Sequence, residues 1–124
     1  MVPVIELDLP YPPSANRYWR CFRNRMVRSK DATDYKKEVQ RIVKSLEHDL
    51  TDESVLVIIE LKPKLTVKGE ASKTCLDIDN CLKVALDALQ GIVYENDKQV
   101  KKIIAEVGYP VVDGGLKIQV LKYE

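Results

Sequence analysis

The chemistry-bearing residues of this chain gather in its second half. Asp77, Asp79, Lys83 and Asp87 fall within eleven residues, and Glu95 and Asp97 follow shortly after. Carboxylates in such number suit a hard, oxygen-seeking cation such as Mg²⁺ or Mn²⁺, which keeps several waters and favours phosphate substrates. Asp79 to Gln90 reads as a helix, with Gly91 placed to end it. With Asp79 at 0° on a wheel, Gln90 falls near 20°, Lys83 at about 40°, Asp87 at about 80° and Asn80 at about 100°. Apolar residues fill the remaining arc, so a largely buried helix keeps one narrow polar stripe. Buried charge is costly unless it is paired or binds a metal.

Asp77 stands just before that helix and can point the same way as Asp79 if the chain there is extended. A return of the following loop toward this end would add Asp97. Three carboxylates would then outweigh the partial positive charge of the helix N-terminus. A plain structural alternative makes Asp77 an N-cap and Asp79–Lys83 an i,i+4 ion pair. It accounts for those residues and leaves the rest of the stripe unexplained.

A second feature lies upstream. From Arg17 to Lys30 there are six basic residues (Arg17, Arg20, Arg23, Arg25, Arg28, Lys30) and no acid. The segment carries +6 in a chain of net charge +1, so the remainder is acidic. Tyr18, Trp19 and Phe22 are interleaved with the arginines. Guanidinium groups grip phosphate in pairs of hydrogen bonds, and flat rings offer bases a stacking face. The combination points to nucleic acid; the alternative is a solvated basic loop with its aromatics turned into the core. A weaker basic stretch, Lys62, Lys64, Lys68 and Lys73, has no aromatics.

The elements that must hold these residues are legible from periodicity. Ile5, Leu7 and Leu9 alternate with Glu6 and Asp8 as a strand with one wet face. Prolines 10, 12 and 13 end it, and the basic segment follows as a loop or short hairpin. Tyr35, Val39, Ile42, Val43 and Leu46 give helical spacing between Asp31 and His48, with Lys36, Lys37, Arg41, Lys44 and Glu47 outside. Ser54 to Leu61 is a β-branched, apolar central strand. Residues 63–76 form a polar loop before the second helix. Two further strands, Val100–Val107 and Leu116–Leu121, are joined by a turn at Asp113-Gly114-Gly115. The order β-α-β-α-β-β predicts an α+β fold: a two-layer domain with a mixed β-sheet of about four strands and two main helices.

Composition narrows the function classes. A chain of 124 residues, 45% apolar and 31% charged, fits one domain over residues 1–124. No apolar run approaches ~20 residues, so a membrane-spanning helix is not expected, and residues 1–10 do not read as a secretory signal. Cys21, Cys75 and Cys81 form no CxxC pair and read as free thiols of a reducing, cytoplasmic setting. The single histidine, His48, argues against multi-imidazole zinc sites and hydrolase triads.

Set in order, these residues resemble the RusA-type Holliday-junction resolvases over nearly the whole length. The opening Pro12-Pro13-Ser14-Ala15-Asn16-Arg17-Tyr18-Trp19-Arg20 is similar to the family's P-P-S-x-N-R-Y-aromatic start, and Ser29 and Tyr35 stand where the family enters its first helix. Asp77-Ile78-Asp79-Asn80, Lys83 and Asp87-Ala88-Leu89 look like its D-x-D-N-x-x-K-x-x-x-D-A-L pattern, and Asp97-Lys98-Gln99-Val100 like the acid before Q-V. The resemblance implies that Asp77, Asp79 and Asp97 bind metal and are catalytic with Lys83, and that Asp87 and Glu95 are outer partners. Asp87 would orient Lys83 or act as an outer ligand. Asn16, Arg17, Tyr18, Trp19, Arg20, Arg23, Arg25 and Lys73 would contact DNA.

Two departures stand out. Asn96-Asp97 replaces two acids common in relatives, and Lys73-Thr74-Cys75-Leu76 replaces a more basic approach to Asp77. The implied activity is Mg²⁺-dependent (Mn²⁺ as substitute), symmetrical nicking of four-way DNA junctions by a homodimer, in recombination and repair, with many members from prophages. The alternatives are a non-catalytic nucleic-acid-binding module and an endonuclease preferring forks or flaps.

Overall fold

The computed structural model describes residues 3–14, 18–46, 48–73 and 75–124. Among the described residues, six strands and two helices follow one another: β1 (Pro3–Leu9), β2 (Trp19–Phe22), β3 (Arg25–Arg28), α1 (Lys30–Ser45), β4 (Val55–Lys62), α2 (Ile78–Leu89), β5 (Val100–Val107) and β6 (Gly115–Lys122). A short 3₁₀ turn, Asp97–Gln99, leads into β5. The main sheet has the order β1-β6-β4-β5, and β2 and β3 form a separate antiparallel hairpin. β4 and β5 run parallel, which requires a crossover, and α2 lies within it. The α+β class, the mixed four-strand sheet and the two helices agree with the expectation.

The alternation read in β1 buries Ile5, Leu7 and Leu9, and the same sheet face carries Val57, Ile59, Leu61, Ile118 and Val120. Against it pack Ala32, Tyr35, Val39 and Val43 of α1 and Cys81, Val84, Ala85, Ala88 and Leu89 of α2. Each fully buried aliphatic side chain contributes about 1.5–3 kcal/mol relative to exposure. The side chain of Ser29 caps α1 by accepting from the Ala32 amide (3.2 Å). The Tyr35 hydroxyl donates to the Pro10 carbonyl (2.7 Å), fixing α1 to the end of β1.

One expectation is extended and one is corrected. The last two strands are joined through the expected turn but are not neighbours in the sheet: β4 lies between them, pairing parallel with β5 and antiparallel with β6. The chain does reverse at Asp113 and Gly114, both at positive φ, but it first crosses the end of β4, held by the Val111 amide donating to the Pro63 carbonyl (3.0 Å). Lys36, read as an outward residue of α1, is half-buried and donates to the carbonyls of Asp87 and Gln90 (2.7 Å each). It adds a charged donor to two carbonyls at the C-terminal end of α2, where the Asp87 carbonyl also accepts from the Gln90 amide (3.2 Å).

Candidate nucleic-acid and metal site

α2 is built as its sequence implies. Cys81, Val84, Ala85, Ala88 and Leu89 form the buried face, and Asp79 and Lys83 lie exposed on the other. Asp77 occupies the N-cap position in extended backbone, yet its side chain makes no capping hydrogen bond. Among the described residues no ion pair or hydrogen bond engages the side chains of Asp77, Asp79, Lys83, Glu95 or Asp97. The simple alternative of a cap and an i,i+4 bridge is therefore not what these residues do. The segment before Asp77 is anchored from the far side: the Leu76 amide donates to the Tyr11 hydroxyl (2.8 Å). Gly114 makes room for the Tyr11 ring, which lies 2.6 Å from where a Cβ would stand.

After α2 the chain turns back on itself. Gly91, at φ +80, supplies the left-handed residue that ends the helix, and its amide donates to the Tyr94 carbonyl (2.7 Å). Tyr94 is fully buried and its hydroxyl donates to the Leu86 carbonyl (2.7 Å). Burial raises its pKa, and the negative charges of Asp97 and Asp87 nearby raise it further. Asp97 opens the 3₁₀ turn. Asn96 caps that turn with its side chain on the Lys98 amide (2.9 Å), and Gln99 accepts from the Asn96 amide (2.8 Å). Asn96, where the family resemblance leads one to expect an acid, thus fixes the position of Asp97. Gln99 pins the turn to the carbonyls of Thr51 and Glu53 (2.9 and 2.8 Å).

The return brings Asp97 to a groove of about 430 Å³ with Lys83, Leu86, Asp87, Gln90 and Trp19. It does not gather the three acids into a finished cage. Among the described residues no three His, Cys, Asp or Glu side chains stand close enough to hold a metal ion. The loop retraces only the C-terminal part of α2, so Asp97 arrives beside Lys83 and Asp87, while Asp77 and Asp79 stand at the helix start.

Asp87 does not pair with Lys83 as one expectation had it; it lines the groove while receiving Arg28 through Nε (2.7 Å) and Nη2 (2.8 Å), and the Tyr18 hydroxyl as well. Burial pushes the Asp87 carboxyl up, but the hydrogen bonds from Arg28 and Tyr18 and the charges of Arg28 and Lys36 outweigh it and hold its pKa below the ordinary value. Sequence reasoning missed Arg28 as the partner. Its signal was present only as one of six basic residues.

The clasp joins α2 to the basic hairpin. β2 and β3 pair Trp19 with Arg28 and Phe22 with Arg25, around Arg23 and Asn24, both at positive φ (51° and 62°). Such a two-residue turn matches the twist of a hairpin. An isolated two-stranded ribbon is marginal in water, and the Arg28–Asp87 pair ties this one down. The Arg20 and Arg23 guanidiniums lie 5.6 and 5.2 Å from the Phe22 ring centroid, and Phe22 is 49% exposed. Arg25 and Lys73 are exposed. Tyr18 departs from its expected place among DNA contacts: it is 0% exposed, because its hydroxyl finds Asp87 and its ring joins the core. Asn16 and Arg17 lie outside the described residues.

Known proteins are similar to this chain over most of its length. The family model described as Endodeoxyribonuclease RusA matches residues 10–121. The chain is 34% identical over 120 residues to the crossover junction endodeoxyribonuclease of Enterobacteria phage HK97, covering 96% of this chain and 95% of that protein. It is 31% identical over 111 residues to the enzyme of the same name from Escherichia coli O139:H28, covering 89% and 87%. The K12 strain's protein is 29% identical over 110 residues, with the same coverage. The chain belongs to the RusA family of endodeoxyribonucleases.

Proposed function

We propose that this chain, acting as one domain over residues 1–124, resolves four-way DNA junctions by paired, metal-dependent nicks. The observation that carries the reading is the groove in which Lys83 of α2 and the returning Asp97 meet beside the root of a basic hairpin. Relatives of 29–34% identity are named for cutting crossover junctions. Nucleases of this family are metal-dependent. The chemistry of the donors, though not their present spacing, suits a hard cation: Asp77, Asp79 and Asp97 supply only oxygen and have no hydrogen-bond or ion-pair partner among the described residues, but they do not converge on one point in this structure. They would hold Mg²⁺, with Mn²⁺ as a substitute, and the ion would supply a water of lowered pKa and a clamp on a phosphate oxygen.

The chain's own groups do the rest. Lys83, one turn after Asp79 and unpaired, faces the groove as a point charge that neutralises the negative charge growing on the phosphate and leaving oxygen. Arg20, Arg23 and Arg25 on the hairpin hold the junction arms through phosphate. Arg28 serves by keeping the hairpin fixed to α2. Glu95 is exposed beside the capped turn.

The junction is approximately two-fold symmetric, and two strands must be cut, whereas the chain contains one such groove among the described residues. A homodimer supplies two sites related by the same symmetry. Three thiols without a CxxC pair suit a reducing, cytoplasmic setting, and among the described residues no helix is long and apolar enough to cross a membrane.

The test is incubation with an end-labelled four-way junction, a fork and a linear duplex, in Mg²⁺ and in EDTA, beside sedimentation at low micromolar concentration. The expected result is a dimer that makes symmetrical nicks in the junction only with Mg²⁺. Junction binding without cleavage in Mg²⁺ would make the chain a binding module, and faster cutting of the fork would reassign its substrate.

A further inference from the structure

Trp19 stands at the root of β2 and lines the groove that holds Lys83 and Asp97; Gln90, at the end of α2, lines the same groove. The chemistry given above to the acids and the lysine uses neither side chain. The Trp19 ring is fixed by two neighbours. The Arg28 guanidinium lies 5.8 Å from its centroid, and the Tyr18 ring meets it edge to face at 5.1 Å. Both neighbours bond to Asp87, so the indole is anchored to the helix that carries Lys83. A fixed indole offers a flat apolar surface on which a base stacks, whatever its identity.

Gln90 adds what stacking lacks. Its backbone carbonyl accepts from Lys36, but its side-chain amide makes no hydrogen bond among the described residues. An amide presents donor and acceptor side by side, the pattern that reads the edge of a base. The hairpin arginines, directed at phosphate, carry no sequence information. A groove of about 430 Å³ lies within the range of pockets that enclose a small ligand.

On the reading of the chain as a junction nuclease, we propose that Trp19 and Gln90 form a base-reading subsite. One nucleobase beside the cut phosphate stacks on Trp19 and hydrogen-bonds to Gln90, so the enzyme selects the nucleotide step that it nicks. Lys83 and Asp97 in the same groove place the selected nucleotide at the reacting phosphate.

Trp19 is the only tryptophan, so its emission reports this site alone. The first arm titrates the full-length protein with a four-way junction in EDTA, where no cleavage is needed. Saturable quenching is expected, and its loss when the junction is made abasic at the exchange point. The second arm maps cuts in Mg²⁺ on junctions that place each of the four bases at the exchange point. Gln90→Ala and Gln90→Glu should alter the ratio of preferred to disfavoured cuts by about fivefold or more, the worth of one good base contact. Trp19 emission unchanged at saturation, or wild-type cut ratios in both Gln90 variants, overturns the subsite. If no junction is cut, the activity reading fails, while the emission titration still decides whether a base occupies the groove.

Discussion

Asp87→Ala removes the acceptor that joins the basic hairpin to α2, and its cost can be worked out from the three bonds it breaks. Arg28 is 40% exposed at its side chain and can rehydrate, so its pair with Asp87, itself 15% exposed, is worth about 0.5–1 kcal/mol. Tyr18 is fully buried, so its hydroxyl is left without its acceptor, at about 1–3 kcal/mol. Together the loss is about 1.5–4 kcal/mol, or a fall in Tm of roughly 6–15 °C for a domain of this size. Thermal unfolding followed by far-UV circular dichroism reads it. A second substitution checks the cause. Tyr18→Phe added to Asp87→Ala removes the stranded hydroxyl and should restore about 1 kcal/mol, although Tyr18→Phe alone destabilises. A Tm within 2 °C of wild type for Asp87→Ala, or a double variant less stable than Asp87→Ala, would refute the clasp.

Three further outcomes follow from the same structure. Because its partners hold the Asp87 carboxyl below its ordinary pKa, its stabilisation is complete above about pH 4 and is lost as pH falls through the depressed value. The Tm gap between wild type and Asp87→Asn should therefore be constant from pH 5 to 7 and close below pH 4; a gap independent of pH contradicts this. Lys83→Ala should lower turnover on junctions far more than affinity, and Lys83→Arg should rescue it poorly, because a forked guanidinium does not sit where a point charge does. Equal losses in rate and affinity would make Lys83 only a DNA contact. Burial pushes the Cys81 thiol up to about 12, whereas Cys21 is exposed on the hairpin. Iodoacetamide at pH 8, followed by peptide mass analysis, should label Cys21 first and Cys81 only after unfolding.

Local signals fixed the elements, and tertiary partners fixed what they do. The 3.6-residue spacing of Cys81, Val84, Ala85 and Ala88 and the glycine at 91 specify α2 and its end, because both depend on neighbours within a turn. The reversal at Asp113-Gly114 was equally legible, but not that β4 would separate β5 from β6. A turn says that the chain reverses, not which strand it meets. Tyr18 and Trp19 are adjacent and look alike as stacking candidates, yet one enters the core and the other lines the groove. Only the presence of Asp87 across the chain distinguishes them. The same holds for Asp87. The wheel placed it on the polar stripe with Lys83, but its bidentate partner lies 59 residues away. Asn96, read as a missing acid, is the cap of the turn that presents Asp97.

The central claim is that the acids at the start of α2 serve a metal-dependent nick and not merely the fold. Asp79 is exposed and has no hydrogen-bond or ion-pair partner among the described residues, so Asp79→Asn leaves the packing alone and removes only the charge that a cation needs. The direct measurement is cleavage of a labelled four-way junction in Mg²⁺ by this variant and by wild type, with junction affinity measured in parallel in EDTA. Cleavage reduced by orders of magnitude, with unchanged Tm and equal or tighter junction binding, is the predicted result. Nicking by Asp79→Asn at near wild-type rate would contradict it.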